Sequence, residues 1–140
     1  MTSMDWDTLL VAARDIVTRS YSPYSHYPVG AAAWTTDGRV LSGCNVENAS
    51  FGLTLCAECS LVSALAASGG GRLARFTCVN AAGDIITPCG RCRQLLYEFG
   101  GSELEILSPL GVVALADMLP QAFGPADMGI AVASEEVSHG

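Results

Sequence analysis

The sequence predicts an α/β fold, a sheet layered with helices. Two observations carry that expectation. Helical and strand-like periodicities alternate along the chain, with no internal repeat and no linker to split it. Glycine-rich stops (Ser68-Gly69-Gly70-Gly71 and Gly100-Gly101) and the turn pair Asp37-Gly38 cut those segments to ordinary element lengths. At 140 residues, 50% of them hydrophobic, the chain has the size of one domain whose core needs no disulfide staples.

Each element follows from a local pattern. Trp6–Arg19 carries apolar residues at helical spacing (Trp6, Leu9, Leu10, Ala13, Ile16, Val17), and Asp5 is placed to cap its N-terminus. Residues 22–28, Ser-Pro-Tyr-Ser-His-Tyr-Pro, form a loop rich in turn formers and aromatics. Val29–Thr35 and Arg39–Cys44 read as a hairpin turned by Asp37-Gly38. A polar loop over 45–54 delivers the chain to a second helix, Cys56–Ala67. Phe76–Asn80 is a buried-looking strand, and Gly83-Asp84 turns into a short strand, Ile85-Ile86. Thr87 as N-cap and Pro88 at the first helical position start a third helix, Cys89–Phe99. Leu104–Leu107 and Val112–Leu115 are strands, followed by a brief helix, Ala116–Leu119. The single domain is expected to span residues 1–133, with a frayed tail over 134–140.

Composition narrows the function. Fourteen acidic residues oppose seven arginines, with no lysine, for a formal net charge of −7. That balance argues against a nucleic-acid partner, because phosphate backbones are held by clustered Lys and Arg that release counterions. No apolar run approaches the length of a membrane span, and the acidic N-terminus lacks the positive region of a signal peptide. Six cysteines in such a chain read as ligands or core thiols rather than disulfides. The cytoplasm is the expected compartment. A mean hydropathy of +0.36 leaves apolar surface over for a homo-oligomer interface.

Chemistry concentrates in two cysteine clusters, Cys56-Ala57-Glu58-Cys59 and Pro88-Cys89-Gly90-Arg91-Cys92. Both fall at predicted helix N-termini, where free amides and the positive dipole end stabilise thiolates. Cys89 and Cys92, three apart on a helix, share a face and can grip one ion, with Cys56 as a third thiolate. Three thiolates around a divalent ion leave a net formal charge of −1, a weaker Lewis acid than an ion held by imidazoles. A nearby base should then help deprotonate bound water, and Glu58 is placed for that work. Cys59 complicates the picture. As a fourth ligand it would close the site into a structural zinc scaffold; as a bystander it is a small core thiol. Cys44 and Cys78, at or in strands, read as core thiols.

The residues resemble the zinc-dependent cytidine deaminases of the small, homotetrameric type. The resemblance runs from Tyr24-Ser25-His26-Tyr27-Pro28-Val29-Gly30-Ala31-Ala32 through Asn45-Val46-Glu47-Asn48-Ala49, Cys56-Ala57-Glu58 and Pro88-Cys89-Gly90-Arg91-Cys92-Arg93-Gln94 to Phe123-Gly124-Pro125-Ala126-Asp127. The zinc deaminases are a standing example of zinc-activated water assisted by a glutamate that is not a ligand. Five segments in order favour the open site over the closed one.

The resemblance implies a three-layer α/β/α fold with a mixed five-stranded sheet, assembled as a tetramer of dihedral symmetry. It implies one zinc per subunit on Cys56, Cys89 and Cys92, and Glu58 as proton shuttle between zinc-bound water, the pyrimidine N3 and departing ammonia. Ala57 would hold the pyrimidine carbonyl through its amide, Asn45 and Glu47 the ribose hydroxyls, and Tyr27 would pack on the nucleoside. Ala49, Phe51 and Phe123 would complete the pocket of neighbouring copies. The implied substrate is a free pyrimidine nucleoside, cytidine or 2′-deoxycytidine, in salvage. A deaminase of a modified or antibiotic cytosine nucleoside is the alternative, and an RNA- or DNA-editing role is disfavoured by charge. The residues themselves agree on the sugar: a carboxylate accepts strongly from hydroxyls, and Glu47 would repel a 3′-phosphate.

Two positions depart from the family's pattern. Many members carry an arginine where this chain has Cys59, and that arginine offsets the thiolate charge. Arg91 is expected to supply the missing positive charge here, in preference to Arg93. Phe51 stands where many relatives have tyrosine, which removes a polar contact but keeps the aromatic surface.

Overall fold

Strand pairing frames the computed structural model, which describes residues 3–130. Strands β1 (Val29–Thr35), β2 (Val40–Cys44), β3 (Leu73–Asn80), β4 (Glu105–Ser108) and β5 (Gly111–Ala114) form one sheet in the order β2-β1-β3-β4-β5. The β3–β4 pair is parallel and the other pairs are antiparallel, so the sheet is mixed. The three-layer expectation holds. Along β1, Ala31 and Ala33 face a core shared with helices α2 (Ala57–Ala67) and α3 (Gly90–Gly100), while Ala32 and Trp34 face one shared with α1 (Trp6–Ile16). A strand buried on both faces this way alternates between two cores rather than between core and water.

Small residues let the layers close. A Cβ on Gly30 would sit 2.4 Å from the Ala13 carbonyl oxygen of α1. One on Gly43 would sit 2.6 Å from the Leu61 amide and 2.7 Å from the Ala57 carbonyl oxygen of α2. Asp5 caps α1 as expected, its carboxylate accepting from the Thr8 amide at 2.9 Å. That helix tightens at Val17–Arg19 into a 3₁₀ turn. Among the described residues no helix is long and apolar enough to cross a membrane.

The elements differ from the sequence expectations in several places, most by one residue at an end. β3 starts at Leu73 rather than Phe76, because Trp34 pairs with Arg75 and Thr35 with Leu73. Ala74 is thus the extra residue of a bulge, and the broken alternation hides the strand's start. Ile85-Ile86 is not a strand; Ile85 makes a single bridge to Val79. The third helix starts at Gly90 with Cys89 as its N-cap, not with Thr87 as cap and Pro88 as first residue. The last strand and the brief helix begin one residue earlier than read, the latter as α4 (Leu115–Met118). The tail expected over 134–140 lies outside the described residues.

Register fixes where chemistry can occur. β1 begins where β2 and β3 end, with Val29 opposite Asn80 and Gly30 opposite Cys44. The loops entering β1 and leaving β2 and β3 therefore meet at one edge of the sheet. Gly43→Ala forces α2 off β2 at this edge and is expected to cost about 1–3 kcal/mol, read as a lower denaturant midpoint at unchanged m-value.

Candidate active site

Two loops end at this edge in a cysteine. Cys56 is the N-cap of α2 and Cys89 the N-cap of α3, both in extended backbone with ψ of 160° and 167°. Neither side chain caps its own helix, so both sulfurs are free to turn toward each other. Cys92, buried in the first turn of α3, joins them, and the three sulfurs lie within 4.8 Å of one another. A tetrahedral zinc with bonds of about 2.3 Å holds sulfurs about 3.8 Å apart, so this donor set suits the ion after small side-chain adjustments. Cys59 falls outside the cluster, so three protein sulfurs are grouped to hold an ion.

The electrostatics favour a cation. Burial pushes the Cys56 thiol up, and burial together with the neighbouring Glu58 pushes Cys92 up further. Burial works against Cys89 too, but the amide and thiol of Cys92 outweigh it and hold Cys89 below its ordinary range. The three thiols thus differ in proton affinity, and a bound cation would favour the thiolate at each. Glu58, in the first turn of α2, is only 3% exposed. Burial lifts its carboxyl above the usual carboxylate range, partly offset by its own backbone amide and the Cys92 thiol. A carboxyl whose proton affinity is raised this way is suited to take and return a proton.

The sulfurs and Glu58 form the floor of a pocket of about 240 Å3 that Tyr27, Asn45 and Ala57 also line. Sequence reasoning missed Cys78. Expected only in the core, it is buried, yet it also lines the pocket, its thiol donating to the Ile86 carbonyl at 3.3 Å. Burial pushes that thiol far up, so it is a neutral wall rather than a nucleophile. Ile86 and Pro88 add apolar surface beside it.

Asn45 and Glu47 hold the 20–28 loop against this edge. The Asn45 side-chain oxygen accepts from Ser20 Oγ and from the Val29 amide at 2.9 Å, and its Nδ2 donates to the Tyr27 carbonyl at 3.0 Å. Glu47 accepts from the Tyr24 amide at 2.9 Å, the Ser25 amide at 3.1 Å and the Ser25 hydroxyl. The Ser25 hydroxyl is the main reason its carboxyl stays below the usual range. Glu47, buried under these bonds, is not among the residues lining the pocket, and Ala49, Phe51 and Phe123 do not reach it either. All three are exposed, Phe51 with its ring edge-on to Tyr24 at 5.8 Å.

Of the two arginines near the sulfurs, Arg91 turns toward them, with Nη1 4.0 Å from Cys56 Sγ. Arg93 turns away and pins the loop, donating to the carbonyls of Pro88 at 2.9 Å and Met118 at 3.0 Å.

Residues 4–107 match the family model of the cytidine and deoxycytidylate deaminase zinc-binding region. A cytidine deaminase of Mycobacterium tuberculosis is 53% identical over 128 residues, 91% of this chain and 96% of that protein. The crystal structure of a cytidine deaminase from that organism superposes with a TM-score of 0.85 at 54% identity, covering 87% of this chain and 99% of that one. The corresponding Mycobacterium leprae structure gives 0.83 at 58% identity, covering 85% and 100%.

Cys59→Ser is expected to retain one zinc per chain, with three sulfurs and one light atom in the first shell by X-ray absorption. Cys92→Ser is expected to lose the metal on dialysis. Four sulfurs around zinc in the unmodified protein would instead establish a closed site.

Proposed function

This chain belongs to the cytidine and deoxycytidylate deaminase family, and on that premise we propose that it converts cytidine and 2′-deoxycytidine with water to uridine or 2′-deoxyuridine and ammonia. The observation that carries this reading is Glu58, buried with a raised proton affinity beside three convergent cysteine sulfurs at the floor of a pocket. Zinc held by Cys56, Cys89 and Cys92 supplies the Lewis acidity that makes water a nucleophile at neutral pH.

The protein's residues do the rest. Glu58 takes a proton from the attacking water as the new oxygen–carbon bond forms at C4, and passes it to N3. It then takes the proton left on that oxygen and hands it to the amino group, which departs as ammonia while the C4 carbonyl forms. Each proton Glu58 accepts is one it returns, so it ends the cycle unchanged. The Ala57 amide, at the same helix N-terminus, is assigned to the pyrimidine carbonyl. Tyr27 packs on the nucleoside, and Asn45 and Glu47 hold its sugar hydroxyls.

Residues 1–133 are read as one domain, acting in pyrimidine salvage in the cytoplasm as a homotetramer of dihedral symmetry. Two features support the assembly. The pocket, at about 240 Å3, is smaller than the roughly 300–1,000 Å3 of a complete small-molecule site. Phe51 and Phe123 leave large aromatic surfaces, 73% and 60% exposed, outside it. With Ala49 they are assigned to the pockets of neighbouring copies. Nucleic acid and membrane are not among the proposed partners.

Arg91 is assigned the offset of thiolate charge, on its 4.0 Å approach to Cys56. Arg91→Ala is expected to release zinc to a chelator about tenfold faster, with Arg91→Lys in between. An unchanged release rate would remove that role. Glu58→Ala is expected to keep one zinc per chain while losing about 10²–10⁴-fold in turnover, followed as the ultraviolet loss of cytidine. Near-normal turnover in that variant would sink the shuttle.

A further inference from the structure

The hydroxyl of Ser25 joins two groups that the proposed function places on the nucleoside. It donates to Glu47 Oε2 and accepts from the Tyr27 amide at 3.0 Å. The other carboxylate oxygen, Oε1, already takes the Tyr24 and Ser25 amides at 2.9 and 3.1 Å. Two donors fill the acceptor sites of one carboxylate oxygen, so Oε2 is the oxygen with a site left for a sugar hydroxyl. Ser25 fixes where that site points.

The same hydroxyl grips one end of the Tyr27 backbone, while Asn45 Nδ2 grips the other through the Tyr27 carbonyl at 3.0 Å. Between Ser25 and Tyr27, His26 sits at φ 56°, a left-handed conformation uncommon for a residue with a side chain. Such a turn keeps one shape only while its surroundings hold it. The His26 amide bonds back to the Ser22 carbonyl at 3.0 Å, and Ser25 supplies two of the three bonds that tie this turn to Glu47, the Tyr24 amide the third.

We propose that Ser25 is a positioning residue for nucleoside binding, its hydroxyl orienting the free acceptor of Glu47 and the backbone of Tyr27 together. This rests on the reading of Glu47 as a sugar acceptor and Tyr27 as a nucleoside contact. Ser25 does not line the pocket that holds the sulfurs and Glu58, so its loss is expected to act on binding and leave the chemical step alone.

Steady-state deamination by the zinc-loaded protein tests this. Ser25→Ala raises KM for cytidine about tenfold while kcat stays within about twofold, the signature of lost ground-state binding. Zinc per chain is unchanged. Ser25→Thr keeps the hydroxyl and restores KM to within about twofold of the unmodified protein. Ser25→Cys, nearly isosteric and a poorer donor, gives an intermediate KM and is read in place of the alanine variant if that one does not fold. Glu47→Gln, run beside them, separates the two readings. If it raises KM and neither Ser25→Ala nor Ser25→Cys does, Ser25 has no positioning role. If Glu47→Gln leaves KM unchanged, the sugar acceptor itself is misassigned and the proposal falls with it. A fall in kcat at constant KM, or a threonine variant as impaired as alanine, also overturns it.

Discussion

One antiparallel strand seated between two that run parallel to each other governs the site. β2 and β3 both run against β1, so both end at the edge where β1 starts. Each then leads through a loop into a helix whose first turn lies at that edge, α2 after β2 and α3 after β3. Two positive helix ends are brought side by side by strand register alone. Ligand sites at the carboxyl ends of strands, beside helix N-termini, are the general outcome of such crossovers. Here the residue at each N-cap is a cysteine; against the effect of burial, hydrogen bonds at the α3 end hold the Cys89 thiol below its ordinary range, while burial holds Cys56 above it.

Holding α2 flush to the sheet makes that edge exact enough for chemistry, and it has a cost. Gly43 and the alanines of β1 remove the side chains that would separate helix from strand. The same close seat buries Glu58 and lifts its carboxyl. The folded chain therefore binds that proton more tightly than the unfolded one. Stability is lost as pH rises from the unfolded carboxylate range toward the raised folded value. A burial that lowers stability at neutral pH is tolerated because a proton shuttle needs it. The helix first turn and the Cys92 thiol reduce the penalty without removing it.

How much of this was legible depended on whether partners were close in sequence. The hairpin, the Asp5 cap and the cysteine spacings rest on neighbours a few residues apart, and all could be read directly. Cys59 could not be resolved that way, because three-residue spacing fits either pair member; only the folded position of its sulfur separates it from Cys56. Thr87 and Pro88 carried strong start signals that the chain does not use, since Cys89 itself takes the cap. The Ala74 bulge broke the alternation that marks a strand, so the start of β3 was invisible. Cys78 looked like any core thiol, and nothing local to it announces that the far side of its strand position faces the pocket. The loop bonds of Asn45 and Glu47 reach 16 to 25 residues away, beyond any local pattern.

Chemistry and affinity therefore depend on different parts of the molecule. The sulfurs and Glu58 stand on helix ends whose places are set by strand register, and a shift there disturbs the core. The loop over 20–28, proposed to face the nucleoside, has little backbone pairing of its own. It is held by Tyr21 bonding across to Asn45 and Glu47, and by the side chains of Asn45, Glu47 and Ser25. A polar network of that kind can be retuned by one hydroxyl without moving a strand. Phe51 lies exposed with its ring edge-on to Tyr24 of this loop. That ring stands outside the chain's own pocket, so the contact proposed for it is with a nucleoside held by a neighbouring copy rather than with the reaction at this chain's Glu58.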